Sequence, residues 1–128
     1  MTKSAVSATQ AIAVGEYQLL VARLDSDGGD WIQGAALRLV DQLGKATAVV
    51  LGGLPDPSDQ GKVILVAAFG KAVIASGQQA GKFIGSIAKR CGGGGGGRPN
   101  LAQAGGRDGA ALDGALEAAS DDLKHHLG

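Results

Sequence analysis

The sequence predicts an α/β or α+β domain in which helices pack on a mixed β-sheet, and three observations lead to this fold class. The 128 residues suit one domain. Aromatic residues make up only 3% of them, so the core must consist of Ala, Val, Ile and Leu, which favours thin layers of closely packed elements. Apolar runs of strand length also alternate with segments of helical spacing. The predicted order is β-α-β-β-α-glycine loop-β-α.

The first half of the chain contains the predicted β-α-β-β unit. Residues 1–15 show no clear period and are assigned to an N-terminal extension of a single globular domain, 16–128. A stretch rich in β-formers predicts the first strand, and Asp30 can cap the helix that Gly44 ends. An apolar run predicts the second strand, and a polar turn makes the third its antiparallel partner. The predicted strands are 17–24, 46–51 and 62–69.

The second half repeats this pattern around a glycine run. Residues 78–90 have apolar side chains on one helical face, while Lys82 and Lys89, one heptad apart, share the other face. This helix leads directly into a glycine loop at 92–97. The remaining predicted elements are a short strand at 101–104 and a closing helix at 110–123.

Six consecutive glycines, residues 92–97, are the most informative part of the chain. Glycine loses more backbone freedom on folding than any other residue, so a folded domain holds such a run only where side chains would obstruct something. A flexible linker is the alternative interpretation. Structured sequence flanks the run on both sides, and the remainder after Asp108 is too short for a second domain, which favours a folded loop. The ligand that this loop suggests is a phosphate backbone.

The formal net charge of zero conceals a strong segregation of charge. Residues 61–108 contain seven Lys or Arg against Asp108 alone, a net +6, whereas 1–60 and 109–128 each carry a net −3. The glycine run therefore lies inside the only basic segment. Such a segment attracts anions, of which nucleic acid is the commonest large one, and a solvated charged face is the alternative.

Catalytic and metal-binding patterns are nearly absent. The glycine run matches GxGxxG but follows a helix rather than a strand, and no Gly-Lys pair lies in a P-loop pattern, which excludes these nucleotide-binding motifs. His125 and His126 lack a further ligand at metal spacing, which favours a solvated helix end over a zinc site. Cys91 precedes backbone amides that could lower its pKa, yet with no histidine nearby a structural thiol is favoured.

Two further features bear on the compartment. Cys91 is the only cysteine, which rules out an internal disulfide and suits a reducing compartment. No apolar run approaches the roughly 18 residues that span a bilayer, and the N-terminus lacks the layout of a signal peptide. We therefore expect a cytoplasmic protein without a membrane partner.

Residues 92–106, which read GGGGGGRPNLAQAGG, carry a family resemblance. They closely resemble the glycine-rich motif of the C-terminal domain of alanyl-tRNA synthetases, a module shared with certain phosphoesterases of the DHH type. The resemblance extends over roughly residues 17–124. Those phosphoesterases usually carry His where this chain has Arg98, which favours the synthetase branch. Many synthetases also resemble GGKGGGRP here, whereas position 94 is glycine in this chain.

The resemblance implies a fragment that binds alanine tRNA and has no catalytic activity, metal or cofactor of its own. In such synthetases, ATP, Mg²⁺ and Zn²⁺ serve aminoacylation and editing domains that these residues do not include. We expect recognition of tRNA shape, through glycine amides that donate to phosphate or ribose oxygens and through basic side chains. The residues predicted to contact RNA are Gly92, Gly93, Gly94, Gly95, Gly96, Gly97, Arg98, Pro99, Gln103, Gly105, Gly106, Arg107, Lys82, Lys89 and Arg90.

Two other functions stay open at this point. The domain could act in protein assembly, forming a homodimer through apolar Ala-rich surfaces. It could also be the substrate-binding domain of a DHH-type phosphoesterase, in which case the parent gene would encode Asp and His metal motifs upstream.

Overall fold

The computed structural model describes residues 12–23, 30–54 and 61–127. Within these residues, six strands form one mixed sheet, and helices cover both of its faces, so the predicted fold class is confirmed. In chain order the elements are β1 (Ile12–Val14), β2 (Tyr17–Arg23), α1 (Asp30–Leu43), β3 (Thr47–Gly53), β4 (Val63–Phe69), α2 (Lys71–Ala75), α3 (Ala80–Lys89), β5 (Gly94–Gly97), β6 (Leu101–Gly106) and α4 (Leu112–Leu127).

The strands lie in the order β1-β2-β3-β4-β6-β5. β2 and β3 are parallel, which requires a crossover connection, and α1 provides it. All other neighbours are antiparallel, including the predicted pair β3 and β4. β5 and β6 form a hairpin, and β5 lies at the outer edge of the sheet. This order brings the glycine run to an edge.

The core consists of two apolar layers, one on each face of the sheet. α3 and α4 cover one face and α1 covers the other. β3 and β4 are buried at every position, because alternate side chains enter opposite layers. Val50 packs under α3 and α4, for example, whereas its neighbour Val49 packs under α1. A strand covered on both faces reads as a continuous apolar run, and this explains the sequence signal.

Three parts of the predicted element order are wrong. The glycine run is not a loop, because Gly94–Gly97 pairs with β6 as a strand. Ile12–Val14 also forms a strand, joined to β2 by a tight turn in which Gly15 has φ 61°. The short helix Lys71–Ala75 was missed, since five residues are too few to show a helical period. The closing helix extends to Leu127, whose side chain is buried.

A glycine turn ends α3 and leads into β5. Gly92 has φ 73°, a left-handed conformation that suits glycine. The N–H of Gly93 donates to the Ala88 carbonyl at 3.0 Å, and the N–H of Gly92 donates to the Lys89 carbonyl at 3.1 Å. These are the two hydrogen bonds of a Schellman motif. The first two glycines of the run therefore serve to end the helix.

Cys91 joins this helix end to the end of β6. Its carbonyl accepts hydrogen bonds from the N–H of Arg107 at 2.7 Å and of Asp108 at 3.0 Å. The side chain is fully buried in the core. Burial raises the pKa of the Cys91 thiol, and the Asp108 carboxylate raises it further. The thiol is therefore a neutral core group, and the backbone amides nearby do not lower its pKa.

The raised thiol pKa predicts a loss of stability in alkaline solution. Because the pKa is higher in the folded state, this group favours folding below the ordinary thiol pKa of 9.0, and its contribution falls as pH rises through the folded value. The expected loss is at most about 1.4 kcal/mol per pH unit in that window. Urea unfolding from pH 7 to pH 11 measures it, with Cys91→Ala as the control for all other titrating groups. Parallel curves for the two proteins would contradict the prediction.

Candidate nucleic-acid interface

Packed and open positions alternate along the glycine strand. A Cβ added at Gly95 would lie 2.5 Å from the Ala104 Cα, and one at Gly97 would lie 2.8 Å from the Ala102 Cα. A Cβ at Gly93 would overlap the Gly105 carbonyl. At Gly94, by contrast, a Cβ would meet nothing within 4 Å. Gly96 is also open, with its nearest neighbour at 4.0 Å. The odd-numbered glycines therefore permit the strand pairing, and the even-numbered ones leave space for a ligand.

Two glycines of α3 face the same strand from the other side. A Cβ at Gly81 would lie 2.6 Å from the Gly97 carbonyl oxygen, and one at Gly85 would lie 3.0 Å from that of Gly95. Four helical residues rise about 6 Å and two strand residues rise about 6.6 Å, so both pairs fit in register. Helix and strand backbones consequently lie side by side. α3 therefore lies along β5, although all four residues of the strand stay exposed.

The turn of the β5–β6 hairpin is fixed at three backbone positions. The N–H of Arg98 donates to the Leu101 carbonyl at 3.0 Å, closing the hairpin. The Pro99 carbonyl accepts from the first residue of α3, Ala80, at 2.9 Å. The Asn100 carbonyl accepts from Phe69 at the end of β4, also at 2.9 Å. These bonds attach the turn to both α3 and β4, and so position the exposed Arg98 side chain at the end of the glycine strand.

A groove of about 540 Å³ runs between α3 and β5. Lys82 and Lys89 are exposed on its helical wall and lie about 10.5 Å apart along the helix axis. Between them, the Ser86 hydroxyl donates to the Phe83 carbonyl at 3.1 Å. No acidic or aromatic residue is among the described residues that line the groove, which are Gln79, Gly81, Lys82, Gly85, Ser86, Lys89, Gly94, Gly95, Gly96 and Gly97.

A second depression of about 390 Å³ lies at the hairpin turn. Gly96 and Gly97 line it as well as the groove, so only strand backbone separates the two. Its polar side chains are those of Arg98, Asn100 and Gln103, all exposed. Asn100 is absent from the residues predicted to contact RNA. The Arg-Pro-Asn sequence predicts a turn, but a turn pattern does not show which surface its residues will line.

The other predicted basic residues lie at the opposite end of the hairpin. Arg90 follows α3, and Arg107 follows β6, where its backbone is bonded to Cys91. Lys62 stands one residue before the Val63–Gly106 pair, so the sheet places it beside Arg107. Lys62 belongs to the basic segment, but no sequence pattern distinguishes it from the other bases. The structure therefore places Lys82 and Lys89 on the wall of the groove and Arg98 in the adjoining depression, while Arg90 and Arg107 lie at the other end of the hairpin.

Several of the glycines predicted to contact RNA serve the packing of the backbone instead of lying open to a ligand. A Cβ at Gly106 would lie 2.7 Å from the Cys91 Cβ, so this glycine permits the close approach of β6 to the end of α3. Gly92 and Gly93 form the helix end, as described above. Gly105, which pairs with Gly94, is exposed.

Positive charge lies along this edge of the sheet, and negative charge lies on α4. Lys82, Lys89, Arg90, Arg98 and Arg107 form no ion pair with any described residue. The exposed carboxylates of α4 are Asp113, Glu117, Asp121 and Asp122, and Asp113 pairs with Arg23 at 2.9 Å.

In the part of the chain that the structure describes, no three His, Cys, Asp or Glu side chains come close enough to hold a metal ion. None of its helices has the length and hydropathy to cross a membrane.

The sequence profile of the DHHA1 domain family matches residues 16–125. The chain belongs to this family. The chain is 81% identical over all 128 residues to part of the alanine–tRNA ligase of Prochlorococcus marinus strain MIT 9303, and 79% identical over the same length to that of Synechococcus sp. strain CC9311. The chain spans 14% of the length of each of these ligases.

A solved structure has the same fold. The C-Ala domain from Aquifex aeolicus alanyl-tRNA synthetase matches the DHHA1 domain with a TM-score of 0.67 and 25% identity, over 91% of this chain and 96% of that one. The resemblance predicted from residues 92–106 is thus confirmed.

Neighbouring glycines of the strand should respond differently to alanine. Gly95→Ala is expected to destabilise the domain by about 1–3 kcal/mol, because the new methyl group would meet strand backbone that cannot yield. Gly94→Ala is the matched control, and it should change stability by less than about 1 kcal/mol because its Cβ meets open space. Urea unfolding of both variants measures the difference. Equal effects at the two positions would show that the alternation has no energetic role.

Proposed function

We propose that this DHHA1 domain is the tRNA-binding module of an alanine–tRNA ligase. In this role it holds alanine tRNA while other parts of the ligase carry out aminoacylation and editing. Identity of 79–81% to parts of two alanine–tRNA ligases over the whole chain supports the proposal. The chain itself carries no catalytic activity, and the ATP, Mg²⁺ and Zn²⁺ of the reaction are bound elsewhere in the ligase. The proposed compartment is the cytoplasm.

The observation that carries the proposal is a row of unpaired cations beside a strand without side chains. Lys82 and Lys89 line the groove, Arg98 lines the depression beside it, and none of the three pairs with a described carboxylate. Neutralising RNA phosphates releases counterions, which supplies affinity without requiring a particular sequence. The open positions of Gly94 and Gly96 allow a phosphate backbone to come close to the peptide backbone.

The available side chains favour recognition of shape. Phe69 and Phe83 are buried and pack against each other with ring centroids 5.7 Å apart, so they offer no surface on which a base could stack. A-form RNA hides its base edges in a deep groove, and proteins bind it chiefly through phosphate and 2′-hydroxyl contacts. Binding of a folded tRNA body through its backbone suits this chemistry.

The two alternatives have less support. Ile12 and Leu37 are the large apolar side chains exposed within the described residues, and they lie on different elements, β1 and α1. Homodimer formation stays an untested prediction. Arg98, at a position where DHH-type phosphoesterases usually carry His, and the ligase relatives favour the ligase role over a phosphoesterase.

Removal of two arginines tests the proposal. Arg98→Ala with Arg107→Ala should weaken binding of a labelled alanine tRNA transcript and reduce the slope of log K against log salt by about 1.5, since two phosphate contacts are lost. Fluorescence anisotropy at several salt concentrations measures both quantities. Arg38→Ala with Lys124→Ala, two exposed cations on α1 and α4, is the charge-matched control and should behave as the wild type. Wild-type affinity of the first variant at low salt would refute the site.

A lysine at position 94, where many synthetases carry one, should strengthen tRNA binding. Gly94→Lys fits the open space beside the groove and is expected to tighten tRNA binding, with a salt slope steeper by about 0.7–0.9. Gly94→Gln introduces a side chain of similar length without charge and is the matched control. The same anisotropy titration compares them. If the Lys and Gln variants bind equally, position 94 does not face the phosphates.

A further inference from the structure

We propose that the bound RNA straddles the glycine strand, with phosphates in the α3–β5 groove and one nucleoside in the depression at the hairpin turn. Asn100 and Gln103 then contact the base or ribose of that nucleoside. This inference rests on the proposed function and divides its site into two parts with different chemistry. Asn100 thereby becomes an RNA-contacting residue.

The thinness of β5 makes the arrangement geometrically feasible. Gly96 and Gly97 line both the groove and the depression, so a ligand passing from one to the other crosses a single peptide strand. Neither glycine carries a side chain that would form a ridge. Consecutive atoms of one nucleotide can therefore reach both sides, with the phosphate on one and the nucleoside on the other.

The groove has the chemistry of a phosphate track. Its helical wall carries Lys82 and Lys89, about 10.5 Å apart along the helix axis. Lysine ammonium groups act as point charges that suit phosphates and lack the fixed geometry of a guanidinium fork. The Ser86 hydroxyl is already donating to the helix backbone. The groove thus supplies attraction that depends on salt and hardly at all on sequence.

The depression has the chemistry of a nucleoside site. Asn100 and Gln103 each offer amide donors and an acceptor, the groups that bind base edges and ribose hydroxyls. Gln103 pairs with Gly96 in the sheet, so its side chain stands beside a residue that leaves room for a ligand. The Asn100 side chain forms no hydrogen bond with another described residue, while its carbonyl bond to Phe69 fixes the backbone. Half-buried Leu101 adds an apolar contact for a ring or sugar.

The two parts can be separated by their dependence on salt. Lys82→Ala with Lys89→Ala should reduce the salt slope of alanine tRNA binding by about 1.5. Asn100→Ala with Gln103→Ala should weaken binding about tenfold at every salt concentration and leave the slope unchanged. Lys124→Ala on α4 and Gln42→Ala on α1, both exposed and outside the two depressions, are the matched controls. The measurement is fluorescence anisotropy with the 128-residue chain.

Competition with inorganic tripolyphosphate provides a second readout. This anion offers phosphates without a nucleoside, so it should compete with tRNA for the lysines of the groove and make no use of the Asn100 and Gln103 amides. Its inhibition constant should rise in the lysine variant and stay the same in the amide variant. Equal rises in both variants would overturn the division into two parts.

The outcomes distinguish this inference from the proposed function. If the lysine variant weakens tRNA binding while the amide variant matches Gln42→Ala, the nucleoside site is wrong and RNA binding by the domain stands. If the lysine and arginine variants both bind as the wild type does, the proposed function itself fails. Weaker binding with an unchanged slope in the amide variant, together with a reduced slope in the lysine variant, supports the inference.

Discussion

The close approach of three backbone segments, α3, β5 and β6, is the constraint on which the rest of this domain depends. Gly81 and Gly85 let the helix lie against the strand edge, and Gly95 and Gly97 let the strand lie against its partner. Side chains at these positions would move the three segments apart. The groove, its lysine wall and the turn that carries Arg98 all take their positions from this contact. A structural demand on the glycines thus creates the surface that a ligand can use.

Ordering so many glycines is costly, and the surrounding structure has to offset that cost. Each ordered glycine is about 0.5–1 kcal/mol less favourable than alanine. The strand is paired along its whole length with β6, and α3 and β6 bury apolar side chains beneath it, among them Ile84, Ile87 and Ala102. The Schellman turn and the two hydrogen bonds to the Cys91 carbonyl fix the start of the run. The hairpin bonds at Pro99 and Asn100 fix its end. The glycine strand is therefore held at both ends and along one side.

Most elements could be predicted because their apolar side chains recur with the period of a strand or a helix. The glycine run has no side chains, so its secondary structure could not be predicted in this way. Continuous apolar residues revealed β3 and β4, and helical spacing revealed α1, α3 and α4. A run of glycine has no period and low strand propensity, so only its partners identify it as a strand. Those partners carry a readable signal, since Gly81 and Gly85 are spaced for close packing and Ala102 and Ala104 alternate with polar or absent side chains.

The charges of the candidate site were predicted better than its shape. The basic segment 61–108 includes Lys82 and Lys89, which line the groove, and Arg98, which lines the depression beside it. Asn100 carries no charge that would mark it, and the position of Lys62 beside Arg107 depends on which strand ends lie side by side. Hydrophobic pattern and turn geometry set the register of a hairpin, but they do not show that β4 and β6, which are not consecutive in the chain, become neighbours in the sheet.

The zero net charge bears on how the domain would work within a ligase. Attraction to RNA from the glycine edge is screened within about 8 Å at physiological salt, and the carboxylates of α4 repel RNA from their own surface. The charges therefore select one orientation of approach and contribute little long-range attraction. In the proposed role, a module with this charge distribution would bind RNA only moderately by itself. Covalent linkage to other parts of a ligase would compensate, because it would raise the effective concentration of a tRNA held there to the order of millimolar. A weak but oriented contact would then be sufficient, and it would also let the tRNA leave.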